Sequence, residues 1–235
     1  MIRFEGVSKS YSSGKDALKN INFSINEGEM VFVTGHSGAG KSTLLRLLLL
    51  LERPTKGAIF LQQQNITKLK DKKIPFIRRK FGVVYQNHQL LNDRTVFDNI
   101  ALPLIISGTP KREIKSRVRS ALDKVNLLNK EKLLPQMLSG GEQQRIGIAR
   151  AVVNESSILI ADEPTGNLDP ELSAEIIKIF KDFNAFGVTV LIATHDLALL
   201  ARMPHRSLIL REGNLLGKAS PNDAMRFESQ TFELL

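Results

Sequence analysis

Hydrophobic and polar residues alternate in two short runs near the start of the chain, residues 2–9 and 18–25, where β-branched and aromatic side chains mix with polar ones. A period of two predicts strands, and the turn chemistry of Ser12-Ser13-Gly14-Lys15 between them makes the pair antiparallel. Asn26-Glu27-Gly28-Glu29 then turns the chain into Met30–Val33, a short, continuous apolar run. A leucine-rich segment beginning at Lys41 reads as a helix that stops near Glu52-Arg53-Pro54, since proline cannot continue a helix and disfavours helical geometry just before itself. Ala58–Leu61 and Phe81–Tyr85 read as further strands on either side of a basic segment, residues 67–80.

From Asn87 to Arg150 the period changes from strand to helix. Thr95-Val96-Phe97-Asp98 has the form of a capping box with aspartate in place of glutamate, followed by the apolar stretch Ile100–Ile106. Thr109-Pro110 reads as a cap with proline at the first helical position, and Ile114, Val118, Leu122 and Val125 follow at helical spacing. A second capping box, Ser139-Gly140-Gly141-Glu142, starts a helix through Arg150. The α/β alternation then resumes with a strand over residues 157–161, a helix from Asp169 to about Ala185, a strand over residues 188–193, a short helix from Leu197, and a hairpin around Glu212-Gly213. The predicted architecture is α/β: a core of residues 1–86 and 151–217 with an N-terminal antiparallel β subdomain, an inserted helical subdomain at 87–150, and a tail at 218–235.

Composition narrows this picture in three ways. An apolar fraction of 42% allows a substantial core, and the lack of cysteine excludes disulfides and thiolate metal sites. The start, Met1-Ile2-Arg3-Phe4-Glu5, has no secretion-signal pattern, and the most apolar run, Leu44–Leu51, is broken by Arg46 and far too short for a bilayer, so a cytoplasmic, soluble protein is expected. The net charge of +9 gathers at Lys68–Lys80 and again at Lys111–Arg119. These clusters suit a solvated surface or an anionic membrane face; with no base-stacking aromatics in the second, nucleic acid is not an expected partner.

The chemistry concentrates in Gly35-His36-Ser37-Gly38-Ala39-Gly40-Lys41-Ser42-Thr43, which lies between the strand at Met30–Val33 and the leucine-rich helix. Strand, glycine loop and helix in that order, with the glycine, four residues, glycine-lysine-serine spacing, form a phosphate-binding loop. Backbone N–H groups curl around phosphate oxygens only where glycines allow close approach, and the helix start adds the positive end of its dipole. Lys41 would reach the β and γ phosphates and Ser42 would ligate Mg²⁺. Asp162 and Glu163, at the end of an apolar strand, suit a metal-holding carboxylate and a general base for an attacking water. Tyr11, at the end of the first strand, reads as either a packing residue or a ring that stacks on a base.

Taken together, Gly35–Ser42, Leu138-Ser139-Gly140-Gly141-Glu142-Gln143-Gln144, Ile158–Glu163, Asn167-Leu168-Asp169 and His195 resemble the ATPase subunit of ATP-binding-cassette systems, over about residues 1–216. The resemblance implies a P-loop fold with ATP and Mg²⁺ as ligands, hydrolysed between two copies arranged head to tail. It implies that Tyr11 stacks on adenine and that Gly35, His36, Ser37, Gly38, Ala39, Gly40, Lys41, Ser42 and Thr43 cradle the phosphates. Ser139, Gly140 and Gly141 would face the γ-phosphate of the other copy. Ser42, Gln86 and Asp162 would serve the metal, Glu163 would be the base, Gln86 and His195 would place the water and the γ-phosphate, and Asp169 would link the two active sites. Within the family, Met30–Lys41, Arg94–Ile106 and Gly147–Asn154 resemble the branch that acts in bacterial cell division. That implies an integral membrane partner, signalling to cell-wall hydrolases, and a peripheral location on the inner face of the plasma membrane at the division site. The alternative is the ATPase of a lipoprotein-release or macrolide-type efflux system. One departure stands out: relatives usually carry glycine around Leu50, where this chain reads five consecutive leucines.

Overall fold

A computed structural model describes residues 1–219 apart from 13, 15, 167 and 204. Residues 220–235, which hold most of the expected tail, lie outside the described part, as do Ser13 and Lys15 of the first turn and Asn167. Two compact units emerge, Met1–Arg78 with the chain from Thr189 onward, and Arg79–Val188.

In the first unit, β1 (Ile2–Ser10) and β2 (Asp16–Ile25) pair antiparallel as their alternation predicts, with Phe4 opposite Phe23 and the two rings stacked at 4.5 Å. β4 (Lys56–Leu61) and the two-residue β5 (Gln64–Asn65) complete an antiparallel sheet ordered β2-β1-β4-β5. A second sheet of this unit is built on β3 (Met30–Thr34), every residue of which is buried. It runs parallel to β8 (Thr189–Ala193) and to β9 (Arg206–Arg211), while β10 (Asn214–Ala219) returns antiparallel through the Glu212-Gly213 turn. Strand β10 reaches Ala219, two residues into the stretch read as tail.

Helix α1 (Lys41–Leu48) stops earlier than the proline predicts. Leu50 takes a left-handed conformation, φ 55°, Leu51 N–H donates to Arg46 O at 2.9 Å, and Leu50 N–H donates to Leu47 O at 3.1 Å. This is the six-to-one, five-to-two pattern that usually ends a helix on glycine. Here the turn is held by Arg78, at the end of α2 (Ile74–Arg78), whose guanidinium donates to Leu49 O at 3.1 Å and Leu50 O at 2.8 Å.

The second unit pairs β6 (Phe81–Val84) parallel with β7 (Ile158–Asp162) and packs α3 (Val96–Ser107), α4 (Lys111–Asp123) and α5 (Gly140–Val152) around Val96, Ile100, Leu104, Val118, Leu122 and Ile146. Helix α6 (Pro170–Ala185) follows β7, and α7 (Leu197–Arg202) follows β8 in the first unit. Two caps differ from the sequence reading. Asp98, a methylene shorter than glutamate, accepts from the Thr95 hydroxyl at 2.7 Å, while Thr95 Oγ1 still accepts from Asp98 N–H. Pro110, not Thr109, occupies the cap position of α4, and the Thr109 hydroxyl instead meets Ser107 Oγ at 3.2 Å.

Candidate functional site

The sequence places a phosphate cradle between β3 and α1, and the structure shows why its glycines are required. A Cβ on Gly35 would lie 2.1 Å from Leu210 O, and one on Gly40 would lie 2.6 Å from Ala17 O. Both residues also have positive φ, 144° and 112°. The inner side of the loop is thus wedged against β9 and β2, and Gly213 N–H donates to Ala39 O at 3.1 Å. Its outer side carries His36, Ser37, Gly38 and Ser42, all exposed, and a Cβ on Gly38 would meet nothing within 4 Å. Lys41 Nζ donates to Gly35 O at 2.5 Å, tying the helix start to the beginning of the loop. Helix α1 has no side-chain cap, so no capping side chain takes up its first-turn amides, which suit an anion. An open, glycine-lined rim over an uncapped helix start fits a polyphosphate.

Two further residues flank this cradle in the first unit. Val33 pairs with Ala193, and Thr194 N–H donates to Val33 O at 3.0 Å, which brings the exposed His195 out beside the start of the loop. The Tyr11 hydroxyl lies 3.4 Å from Thr43 Oγ1, and the Lys9 ammonium lies 5.1 Å from the Tyr11 ring centroid. Glu52 holds Lys9 at 3.2 Å. Burial alone would raise the Glu52 carboxyl, but hydrogen bonds from Tyr11, Lys9 and Arg46 hold it below its ordinary value.

In the second unit the parallel pairing of Val84 with Ala161 carries Gln86 out beside Asp162 and Glu163. The Gln86 amide packs on the turn after Glu163, 3.2 Å from where a Cβ of Gly166 would stand. Glu163 itself has φ 49°, an uncommon conformation for a non-glycine residue, and its carbonyl accepts from Gly166 N–H at 3.1 Å. Ser139 caps α5 with a complete box: its hydroxyl accepts from Glu142 N–H at 3.3 Å, and Ser139 N–H donates to the Glu142 carboxylate at 3.0 Å. A hydrogen bond from Lys130 at 2.5 Å, then the Ser139 N–H, hold that carboxyl below its ordinary value of 4.5. Gly141 is buried, and a Cβ there would press on the Leu172 side chain at 3.1 Å. Asp169 caps α6 by accepting from the N–H groups of Glu171 and Leu172 at 3.0 and 2.9 Å. Leu172 thus links the caps of α5 and α6.

With this geometry described, comparison with known proteins is decisive. The ABC transporter family profile matches residues 18–166. The chain belongs to the ABC transporter family. It is 56% identical to the cell division ATP-binding protein FtsE of Escherichia coli over 92% of this chain and 98% of that protein. It is 45% identical to FtsE of Bacillus subtilis over 91% of this chain and 93% of that one. Among solved structures, the post-hydrolysis dimer of the cassette MJ0796 bound to ADP and Pi superposes with TM-score 0.86 at 34% identity, covering 94% of this chain and 99% of that one. Structurally, cbiO1 of Clostridium perfringens, part of the ABC transporter complex cbiONQ, matches with TM-score 0.89 at 29% identity, covering 99% of this chain and 93% of that one. The protein is therefore an ATP-binding ABC ATPase, with the antiparallel β subdomain and mixed sheet of that fold.

This ABC ATPase also carries polar residues whose importance the sequence hides. Gln144, 2% exposed, donates to Pro164 O at 2.8 Å and so ties α5 to the turn after Glu163. Asn99, fully buried, accepts from Leu91 N–H at 2.7 Å and donates to the carbonyls of Leu91, Arg94 and Thr95, pinning the loop that follows Gln86. Arg150 holds the same loop from α5 by donating to His88 O at 2.6 Å and Gln89 O at 2.7 Å. Burial, and then the charge of Arg150, push the His88 imidazole below its ordinary value of 6.5. An asparagine inside an apolar helix stretch was the one signal available for any of these.

Proposed function

We propose that two copies of this chain, arranged head to tail, hydrolyse Mg-ATP between them and pass the resulting motion to an integral membrane partner of the FtsX type, regulating cell-wall hydrolysis in bacterial division. The observation that carries this reading is the 56% identity to the Escherichia coli cell division ATP-binding protein across almost the whole of both chains.

In this mechanism Gly35, His36, Ser37, Gly38, Ala39, Gly40, Lys41, Ser42 and Thr43 hold the phosphates, and Tyr11 presents its ring to the adenine. Ser139, Gly140 and Gly141 of the other copy meet the γ-phosphate; their helix start is already capped by Ser139, so the donors are pre-organised rather than assembled at the moment of reaction. Glu163 accepts the proton of the attacking water, Gln86 and His195 orient that water and the γ-phosphate, and Asp169 links the paired sites. Among the described residues no group of three or more His, Asp or Glu forms a metal cage. Ser42, Gln86 and Asp162 would serve a magnesium ion that takes its remaining ligands from phosphate oxygens and water. When bound, such an ion would supply charge neutralisation for the phosphate oxygens.

Glu163→Gln keeps the shape of the side chain and removes the base. It is expected to bind ATP and to form an ATP-dependent dimer in size-exclusion chromatography while turning over about 10² to 10⁴ times more slowly. Hydrolysis at the wild-type rate would remove Glu163 from that role.

A further inference from the structure

The loop after Gln86 is held in a costly shape. His88 and Gln89 both take left-handed conformations, φ 55° and 48°, a region that strains a non-glycine residue. Asn99 and Arg150 fix its carbonyls from α3 and α5, as described above. A third contact differs in kind, because it is aimed at the machinery itself. His88 Nε2 lies 3.0 Å from Gly140 O. A carbonyl only accepts, so His88 must donate through Nε2–H. Gly140 stands between Ser139 and Gly141 in the first turn of α5, and 52 residues separate it from His88 in sequence. The backbone strain therefore serves to deliver one N–H to one carbonyl of the signature helix.

We infer that His88 is a positioning residue: its Nε2–H bond to the Gly140 carbonyl locks the loop after Gln86 to the start of α5, so that the two move as one and the signature residues are presented to the other copy at a fixed angle. The inference rests on the two-copy reading above. Coupling of this sort needs a physical link that both elements share, and here the link is a single hydrogen bond backed by the half-buried Arg150. Gly140 has no side chain with which to set its own orientation, which is why the tie comes from elsewhere.

The test uses the full chain in the Glu163→Gln background and three variants at one position. His88→Ala and His88→Gly both lose the donor, but glycine also relieves the left-handed strain. His88→Gln keeps an N–H at similar reach. Two quantities are read: ATP affinity of the dilute monomer with a fluorescent ATP analogue, and the dissociation constant of the ATP-driven dimer by analytical ultracentrifugation. Removing the bond is expected to weaken the dimer about 3- to 10-fold in both the Ala and Gly variants, with monomer affinity for the analogue unchanged and the Gln variant close to the parent. If the Gly variant dimerises like the parent, or if the Ala variant does, the tie is not what positions the signature. Loss of analogue binding in the Ala variant would likewise overturn it by showing a general defect. Failure of the parent itself to dimerise on ATP would instead bring down the two-copy reading, and this inference with it.

Discussion

Glu163 bears backbone strain at the place where the chemistry is assigned. Its φ of 49° costs about 1–2 kcal/mol relative to an ordinary strand end, and the turn that imposes it is closed by Gly166 and held from α5 by Gln144. Replacing Gln144 by Leu leaves Pro164 O without its buried partner. The expected result is a loss of about 1–3 kcal/mol in urea unfolding, together with slower turnover because the carboxylate is no longer aimed. Stability lost with turnover intact would separate the turn from the chemistry. Single residues were unevenly legible in the sequence. Lys41, Ser42, Asp162 and Glu163 announce themselves, because a glycine loop after a strand and paired acids at a strand end each have a physical reason to exist. Gln86 and His195 drew meaning only from the family resemblance. His88 and Arg150 gave no sign of their roles, Gln144 stood only as part of the signature motif, and Asn99 showed only as an asparagine in an apolar stretch, since each acts on backbone groups that only folding brings near.

Elements show a similar divide, set by how local their determinants are. The boxes and caps at Ser139 and Asp169 use residues within three positions of one another, so their starts were predictable. The end of α1 was not, because the left-handed Leu50 is stabilised by Arg78, 28 residues on. Leucine is 4% exposed there, so the side chain that strains the turn also fills the core. Leu50→Gly would relieve about 1 kcal/mol of strain but forfeit about 2–5 kcal/mol of burial, and a net loss of stability is expected in urea unfolding. A more stable glycine variant would mean that the leucine is poorly packed. The cap of α5 adds a pH dependence. The Glu142 carboxyl titrates lower in the folded protein than in the unfolded chain, because Lys130 and the Ser139 N–H favour its charged form. Its contribution is therefore complete above the ordinary value and lost as pH falls through the lowered one. Between about pH 5 and pH 3 the melting temperature of wild type is expected to fall more steeply than that of Glu142→Gln, which has nothing there to titrate. Parallel curves would contradict the capping role.

For the whole molecule, the proposed function calls for a surface that can pass motion to a partner. Helix α3 buries Val96, Ile100, Ala101 and Leu104 in the helical core, yet leaves Ile105 and Ile106 at 58% and 62% exposed. No helix among the described residues is long and apolar enough to cross a membrane. Under the proposed function, such apolar surfaces and the net charge of +9 are the candidates for membrane recruitment. Changing Ile105 and Ile106 together to Asp is expected to abolish co-fractionation with the proposed membrane partner, whereas changing Lys70, Lys72 and Lys73 to Glu is expected to leave it. The reverse pattern would favour lipid attraction over docking. Fold class was legible at this scale because the switch in hydrophobic period marks the helical stretch. The proposed head-to-tail arrangement of two copies came only from the family resemblance, since nothing in one chain's hydrophobic pattern points to a second chain.

That arrangement is tested most directly by mixing two inactive variants, Lys41→Ala and Ser139→Ala. Each alone spoils both sites of its own dimer, but a head-to-tail mixed pair joins the intact cradle of one chain to the intact signature of the other. The account expects ATPase activity to reappear on mixing, up to about a quarter of the wild-type rate for random pairing. Activity no higher than the sum of the separate variants would contradict it.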